Sequence, residues 1–440
     1  MPDAQITGPF KTIALANDTD LPYYVIPFDK RGTCEGPESR QHLIDHAGEY
    51  SDIFLFSHGW NNDWKTATDR YESFYEGYIA MRKSLDIAVR ENYRPLMVGI
   101  FWPSTALVFE GEKAPSIASG AEGNASAKEL EAHVAPNDLD RFKALLYAPE
   151  LDEAAAFELA RILRPLYTSE QDELMSGAPT EAQMVAAWKH GTLSSKSITD
   201  TADVGLAGDD DDDTDAADLK AASFIGSLTD LARNAVRITT VWMMKDRAGV
   251  VGSTGVMSLL VDLLNASQAR VHLIGHSYGA KVLLSALCTP SALPRKIYSL
   301  FLLQPAVSHL CFANALPGTG QPGGYRNALD RVERPILSTF SKHDVPLTKI
   351  FHLALVRPTD LGELKVAAGN GEPPSRFAAL GGYGPRAAPN QLITDIKSAP
   401  DAYQFDDKVR LIGLCANRTI DGHGDISNPS TWWTLHNLTR

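Results

Sequence analysis

The chain has 440 residues, of which 44% are apolar and 22% are charged, as in an ordinary globular protein with a large core. Its formal net charge is -13, and no basic cluster offsets it. A phosphate backbone would be repelled by this surface, so the composition argues against nucleic-acid binding.

The N-terminal segment, the apolar runs and the cysteines of the chain bear on the cellular compartment in which we expect it. Residues 1–20 lack the basic and apolar regions of a secretory signal, and no stretch reaches the roughly 18 consecutive apolar residues of a transmembrane segment. Cys34, Cys288, Cys311 and Cys415 are widely spaced and form no CxxC pair, which favours free thiols over disulfides or a zinc site. We therefore expect a soluble, cytoplasmic protein.

The first part of the chain, residues 1–104, alternates strand and helix patterns. Short apolar runs at 23–28 and 52–56 predict strands, and residues 63–89 predict a long helix. The run 95–102 is apolar almost throughout, which is typical of a strand buried on both faces of a parallel sheet.

Residues 105–228 interrupt this alternation, since they contain no strong strand pattern. We interpret them as a largely helical insertion that could cover an active-site mouth. Residues 208–218 are rich in aspartate and resemble the start of an EF-hand. However, Thr214 stands where the turn glycine should be and Lys220 where the bidentate glutamate should be, so we predict a solvated, mobile loop. The predicted helices of the insertion are 138–147, 151–167 and 180–189.

The last part, residues 229–440, contains the most informative motif. Two predicted helices, 222–244 and 249–264, lead to a strand at 269–274 that runs into Gly275-His276-Ser277-Tyr278-Gly279. The two glycines allow a sharp turn from strand to helix, which lifts the Ser277 hydroxyl above the sheet edge as a nucleophile. An inert packing turn is the alternative. Further strands are predicted at 297–303, 336–340 and 409–415, with a polar tail after the last.

A serine nucleophile needs a base, and the base needs a carboxylate that holds its tautomer. Asp344 follows the strand 336–340 at the same predicted sheet edge, and the preceding strand offers no competing carboxylate. His423 follows the last strand and is flanked by glycines, so it is the predicted base. The alternatives for the base are His436 and, after it, His58, His276 and His343.

Acyl transfer also needs two backbone N–H donors for the oxyanion of the tetrahedral intermediate. The residue after the nucleophile, Tyr278, supplies one of them. The strand 52–56 ends at His58-Gly59-Trp60, and we assign the second donor to Trp60. His58 and Gly59 are expected to support this loop. Gly275, His276 and Gly279 are expected to support the strand-to-helix turn at Ser277, which we call the elbow.

The order of nucleophile, acid and histidine, with His58-Gly59-Trp60 before them, resembles the α/β-hydrolase superfamily, and most of all its lipase-like and esterase-like serine hydrolases of bacterial type. The resemblance covers residues 23–104 and 224–436. It implies an α/β fold with a mostly parallel, doubly wound sheet, in which 1–104 and 229–440 form the core. Lids in this superfamily usually enter after the nucleophile strand, whereas residues 105–228 precede it.

The resemblance also implies two-step acyl transfer through Ser277, His423 and Asp344, without a metal or an organic cofactor. The expected substrate is a small-molecule or lipid-like acyl compound, in the first place a carboxylic ester. An amidase or peptidase, a thioesterase, and a non-catalytic binding protein of the same fold are the alternatives. Activity should rise with pH, because only a neutral imidazole accepts the serine proton. The oligomeric state is not indicated.

Overall fold

The computed structural model describes residues 7–14, 20–88, 90–104, 130–148, 150–167, 179–189, 230–351 and 378–440. These residues form one sheet with helices on both faces. Its strands are β1 (Lys11–Ala14), β2 (Asp20–Pro27), β3 (Asp52–Ser57), β4 (Pro95–Phe101), β5 (Arg270–His276), β6 (Ser299–Leu303), β7 (Ile336–Phe340), β8 (Gln391–Asp395) and β9 (Leu411–Cys415).

The strands lie in the order β1-β2-β4-β3-β5-β6-β7-β9-β8. Only β1 and β2 pair antiparallel, and all other neighbours in the sheet are parallel. The protein therefore belongs to the α/β class with a mostly parallel mixed sheet. Because the carboxyl ends of β3 to β7 and of β9 share one edge, the loops that follow these strands meet there.

The helices divide between the two faces of the sheet. They are α1 (Pro37–His46), α2 (Trp64–Ser84), α3 (Leu139–Leu146), α4 (Glu153–Leu163), α5 (Asp230–Val251), α6 (Met257–Ala266), α7 (Tyr278–Cys288), α8 (Ala328–Arg331), α9 (Leu380–Tyr383) and α10 (Pro429–Thr439). Residues 181–189 are also helical.

Strand β3 shows how both faces are filled. Its Ile53 and Leu55 belong to the core cluster that contains α6 and α7, whereas Phe54 and Phe56 belong to the cluster that contains α2 and α10. Every residue of β3 is buried. A strand covered on both sides needs apolar residues at successive positions, which is why 53–56 reads as a continuous apolar run.

Two helix caps fix the chain on either side of the carboxyl edge. The Asp63 side chain accepts a hydrogen bond from the Thr66 amide at 2.7 Å and starts α2 directly after the loop 58–62. Asn428 accepts from the amides of Ser430 and Thr431, and the Thr431 hydroxyl accepts from the Asn428 amide in return. Each cap satisfies amides that a helix start leaves unbonded.

Two helices are predicted at 222–244 and 249–264; residues 222–229 lie outside the described residues, and the described part, 230–266, is one helical run. Helix α5 continues through the π turn Gly252–Val256 into α6, so the predicted break at 245–248 is wrong. The glycines serve close packing instead of a turn, because a Cβ at Gly252 would lie 2.2 Å from the Val282 carbonyl oxygen of α7.

Within the described residues, Ile238–Ala266 is the one helical stretch long and apolar enough to cross a membrane, but more than half of its most apolar window is buried in the protein. Its composition is explained by this burial against α7.

Other differences from the sequence predictions lie at the edges of the fold. Strand β1 and the edge strand β8 were not predicted, and the predicted polar tail contains helix α10.

In the described residues between β4 and β5 there is no strand, and Tyr167 there hydrogen-bonds Thr239 of α5 at 2.9 Å. The acidic segment 208–218 lies outside the described residues.

A buried carboxylate lies at the amino end of the central strand β3, at the end of the sheet opposite to Ser277. Asp52, at the start of β3, is 0% exposed and accepts hydrogen bonds from Ser51 Oγ (2.6 Å), Arg270 Nε (2.9 Å) and His272 Nε2 (3.1 Å), with an ion pair to Arg90. Burial acts to raise the pKa of Asp52, but these donors outweigh it and lower the pKa to about 2.

We expect Asp52→Asn to lower the free energy of unfolding by about 3 kcal/mol at pH 7, because the partly exposed arginines Arg90 and Arg270 lose the buried carboxylate with which they pair. The folded-state pKa lies below the unfolded value, so this contribution is present above about pH 4 and is lost as the pH falls towards 2. Urea unfolding at several pH values measures both effects. Asp330→Asn, on the exposed pair with Arg326, is the control and should change stability by less than about 0.5 kcal/mol. Equal losses in the two variants would contradict this account.

Candidate active site

Ser277 occupies the turn between β5 and α7 in a strained backbone conformation. Its φ is 55° and its ψ is -124°, a region that residues with a side chain rarely adopt. The turn is held by three hydrogen bonds. The Ser277 amide donates to the Leu303 carbonyl at 3.1 Å, and the Ser277 carbonyl accepts from the amides of Ala280 and Ala306, both at 3.1 Å.

The glycines around this turn leave room for close backbone contacts. A Cβ at Gly275 would lie 2.8 Å from the Cα of Ala280, and one at Gly279 would lie 2.0 Å from the Ser57 carbonyl oxygen. Both distances are shorter than a Cβ tolerates, so β5, α7 and the end of β3 approach each other only because glycine stands at these positions. The turn is therefore a sharp strand-to-helix turn with a serine at its apex.

The three residues predicted as a triad form one hydrogen-bonded chain. His423 Nε2 lies 2.8 Å from Ser277 Oγ, and His423 Nδ1 lies 2.8 Å from Asp344 Oδ2. Ser277 is 2% exposed and Asp344 is 0% exposed, whereas the His423 side chain retains 25% exposure. These residues follow β5, β9 and β7, and they meet because those strands end at one edge of the sheet.

Two further donors hold the carboxylate of Asp344. Gln304 Nε2 donates to Oδ2 at 2.9 Å, and the Leu347 amide donates to Oδ1 at 3.0 Å. Gln304 follows the end of β6 and has a positive φ of 45°. The sequence reasoning missed this residue, although a polar side chain directly after a buried strand was the available signal.

The loop after β3 packs on the elbow through Gly59. A Cβ at Gly59 would lie 2.5 Å from the Cβ of Ser277. The next residue, Trp60, is partly buried, and its ring centroid lies 6.4 Å from that of Tyr278, the first residue of α7. In the described part of the chain, the Trp60 amide donates to no protein acceptor. Trp60 and Tyr278 therefore approach Ser277 from two different elements.

His58 supports this loop from below. Its Nδ1 donates to the Gly59 carbonyl at 2.8 Å, and its Nε2 accepts from the Trp102 amide at 3.2 Å. Complete burial lowers the pKa of His58 to about 3, so the ring stays neutral. Asn62 Nδ2 adds donors to the carbonyls of Gly59 and Trp60 at 3.0 and 2.8 Å. His58 thus holds the loop through hydrogen bonds to Gly59 and Trp102.

The other candidate histidines lie elsewhere. His276 is 1% exposed and contacts the backbone of His423, not the Ser277 hydroxyl. His436 lies in α10 beside Trp433, with ring centroids 5.4 Å apart. Arg70, which the sequence reasoning did not single out, donates to His276 Nδ1 at 3.0 Å. Nothing in the local sequence of α2 marks this arginine, since its partner is distant along the chain.

Among the described residues, no group of three or more His, Cys, Asp or Glu side chains could hold a metal ion. The four cysteines form no disulfide. Chemically, the arrangement offers a serine hydroxyl with a hydrogen-bond acceptor for its proton, a buried carboxylate behind that acceptor, and an adjacent loop with an available amide.

We expect Gly59→Ala to destabilise the protein by about 1–3 kcal/mol, since the added methyl group overlaps Ser277 and the elbow must move. Gly422→Ala, in the loop that carries His423, is the matched control. No heavy atom of the described residues lies within 4 Å of a Cβ there, so its effect should stay within about 0.5 kcal/mol. Urea unfolding of both variants is the measurement. A neutral Gly59→Ala would show that the loop does not pack on the elbow as described.

The chain was compared with known proteins in three ways. No family model matches it, and neither the search of curated proteins nor the search of solved structures found a match. What the chain does must therefore be inferred from its own residues.

Proposed function

We propose that this protein is a serine hydrolase that cleaves an acyl bond, in the first place a carboxylic ester, through an acyl-enzyme intermediate. The observation that carries the proposal is the hydrogen-bonded chain from Ser277 Oγ through His423 to Asp344, with both links at 2.8 Å. Nucleophile, base and orienting carboxylate in this geometry are the requirements for activating a serine hydroxyl.

We also propose that the fold is of the α/β-hydrolase type. Three features support it. The nucleophile stands on a strained turn between a parallel strand and a helix, and the acid and histidine follow later strands in the order Ser, Asp, His. The loop at Trp60, after an earlier strand, is placed next to the elbow.

The proposed reaction starts with neutral His423. Its Nδ1–H donates to Asp344, which leaves the Nε2 lone pair to accept the Ser277 proton as Oγ attacks the acyl carbonyl. The amides of Trp60 and Tyr278 stabilise the oxyanion, and each such donor is worth roughly 3 kcal/mol of barrier. His423 then protonates the leaving group. Water, activated by the same imidazole, releases the acyl group from Ser277.

Trp60, which is partly buried beside the serine and packs on the buried rings of the core, favours an apolar acyl group in the substrate. The ring of Tyr278 lies 6.4 Å from the ring of Trp60 and 6.4 Å from that of Phe351. Val345, which directly follows Asp344, is an exposed apolar side chain. A small-molecule or lipid-like ester fits this environment better than a charged acyl group does.

Hydrolysis of p-nitrophenyl esters by triad variants tests the proposal. We expect Ser277→Ala and His423→Ala each to lower kcat by about 10⁵-fold, and Asp344→Ala by about 10⁴-fold. The double variant Ser277→Ala with His423→Ala should be no worse than either single variant, because the residues act as a unit. Wild-type activity that survives the loss of Ser277 would overturn the proposal.

Matched p-nitroanilides and thioesters, measured with the same variants, assign the bond that is cleaved. We expect the ester to be hydrolysed with the highest kcat/KM. Faster cleavage of the anilide would make the protein an amidase or peptidase, and faster cleavage of the thioester a thioesterase. No turnover of any of these acyl compounds by folded wild-type protein would instead support a non-catalytic binding protein.

A further inference from the structure

His276, the residue before Ser277, uses both of its ring nitrogens. Nδ1 lies 3.0 Å from Nη1 of Arg70, and Nε2 lies 2.8 Å from the backbone carbonyl oxygen of His423. A guanidinium has donors and no acceptor, so Nδ1 must accept and Nε2 must carry the proton. The His276 ring therefore donates a hydrogen bond to the main chain of His423.

This tautomer persists because the ring does not take up a second proton. Burial, the neighbouring Arg70 guanidinium and the His423 and His58 rings hold the pKa of His276 well below its ordinary value, and the bond to the His423 carbonyl opposes them only in part. Among the described residues, Arg70 forms no ion pair with a carboxylate that would offset its charge.

Arg70 lies close to the loop of His423 as well as to His276. It lies on α2, half-buried, and its Nη2 is 3.7 Å from the position that a Cβ would take at Gly424, next to His423. The centroid of the His276 ring lies 5.0 Å from that of His423. A Cβ at Gly59 would come within 3.1 Å of His276 Nδ1, so the loop after β3 confines the ring from the other side.

The loop that carries His423 is held mostly by internal hydrogen bonds. The Asp421 amide donates to Asp425, the Asp425 amide to Gly422, and the Ile426 amide to Gly424. From outside the loop, Ser341 Oγ donates to the Ile420 carbonyl at 2.8 Å. In the part of the chain that the structure describes, the bond from His276 is the one hydrogen bond made by the backbone of His423. It therefore fixes the main chain at the histidine itself.

We propose that His276 and Arg70 are positioning residues for the base: Arg70 fixes the tautomer of His276, and His276 fixes the main chain of His423 so that the imidazole reaches both Ser277 and Asp344. This inference rests on the proposed function, which makes His423 the base. It assigns a role to two residues that touch neither the substrate nor the Ser277 hydroxyl.

Two isosteric substitutions of His276 separate this role from simple packing. In His276→Gln the side-chain amide reaches the position of Nε2 and can still donate to His423. In His276→Asn the amide reaches only the position of Nδ1, and the carbonyl of His423 loses its donor. We expect His276→Asn to lower kcat for a p-nitrophenyl ester by about 100-fold with KM unchanged, and His276→Gln to keep most of the activity.

The Arg70 variants give an independent second pair, in case His276→Asn does not fold. Arg70→Met removes the donor to Nδ1, so the other tautomer of His276 becomes accessible and kcat should fall. Arg70→Lys retains a donor and should restore part of the loss. Thermal unfolding of all four variants shows whether an activity change follows stability instead.

Proton NMR reports the position of the base without turnover. The proton shared between His423 Nδ1 and Asp344 should give a far-downfield resonance in wild type and His276→Gln, and this resonance should be weakened or lost in His276→Asn and Arg70→Met. If the wild-type protein hydrolyses no acyl compound but His276→Asn still loses the resonance that wild type shows, the positioning role stands and the proposed acyl chemistry is refuted. Equal kcat and equal resonances in His276→Asn and His276→Gln would overturn the positioning role while leaving the triad intact.

Discussion

Ser277 holds a backbone conformation, with φ at 55°, that costs a residue with a side chain about 1–3 kcal/mol. The surrounding structure offsets this cost. Leu303 and Ala306, from the neighbouring strand β6 and the loop after it, hydrogen-bond both backbone groups of the serine. Gly279 brings the start of α7 against the carbonyl of Ser57. The hydroxyl thus points away from the sheet because three parallel strands and a helix hold the turn, and every other site residue is placed relative to it.

The three histidines around this turn differ in burial, and this difference sets what each of them can do. His58 and His276 are buried, and burial lowers the pKa of each so that both rings stay neutral and act through fixed hydrogen bonds. Only the His423 side chain keeps an exposed fraction, 25%, together with contacts to the serine and to a carboxylate. In the proposed mechanism the same residue type thus supports the loop (His58), anchors the main chain (His276) and exchanges protons (His423), according to its access to solvent and its partners.

The sequence predicted those parts of the fold and site that depend on local chemistry. Strands β3, β4 and β6 were predictable because residues buried on both faces of a parallel sheet are mostly apolar in succession. The elbow was predictable because its two glycines and its serine stand within five consecutive residues. The edge strand β8 was not predicted because it is mostly exposed and therefore lacks a continuous apolar run. The continuity of α5 into α6 was not predicted because Gly252 allows a close contact with α7, and no local sequence pattern indicates that contact. Gln304 and Arg70 were not predicted because their partners are distant along the chain: Asp344 lies in the loop after β7, and His276 ends β5.

The central claim is that Ser277 is a nucleophile activated by His423, and reaction with a fluorophosphonate probe tests it without knowledge of the substrate. The probe is added to folded wild-type protein and to His423→Ala, and the labelled peptide is identified by mass spectrometry. The account predicts one label, on Ser277, that forms in wild type and forms far more slowly in His423→Ala. Label on another residue, no label on wild type, or an equal labelling rate in both proteins would contradict it.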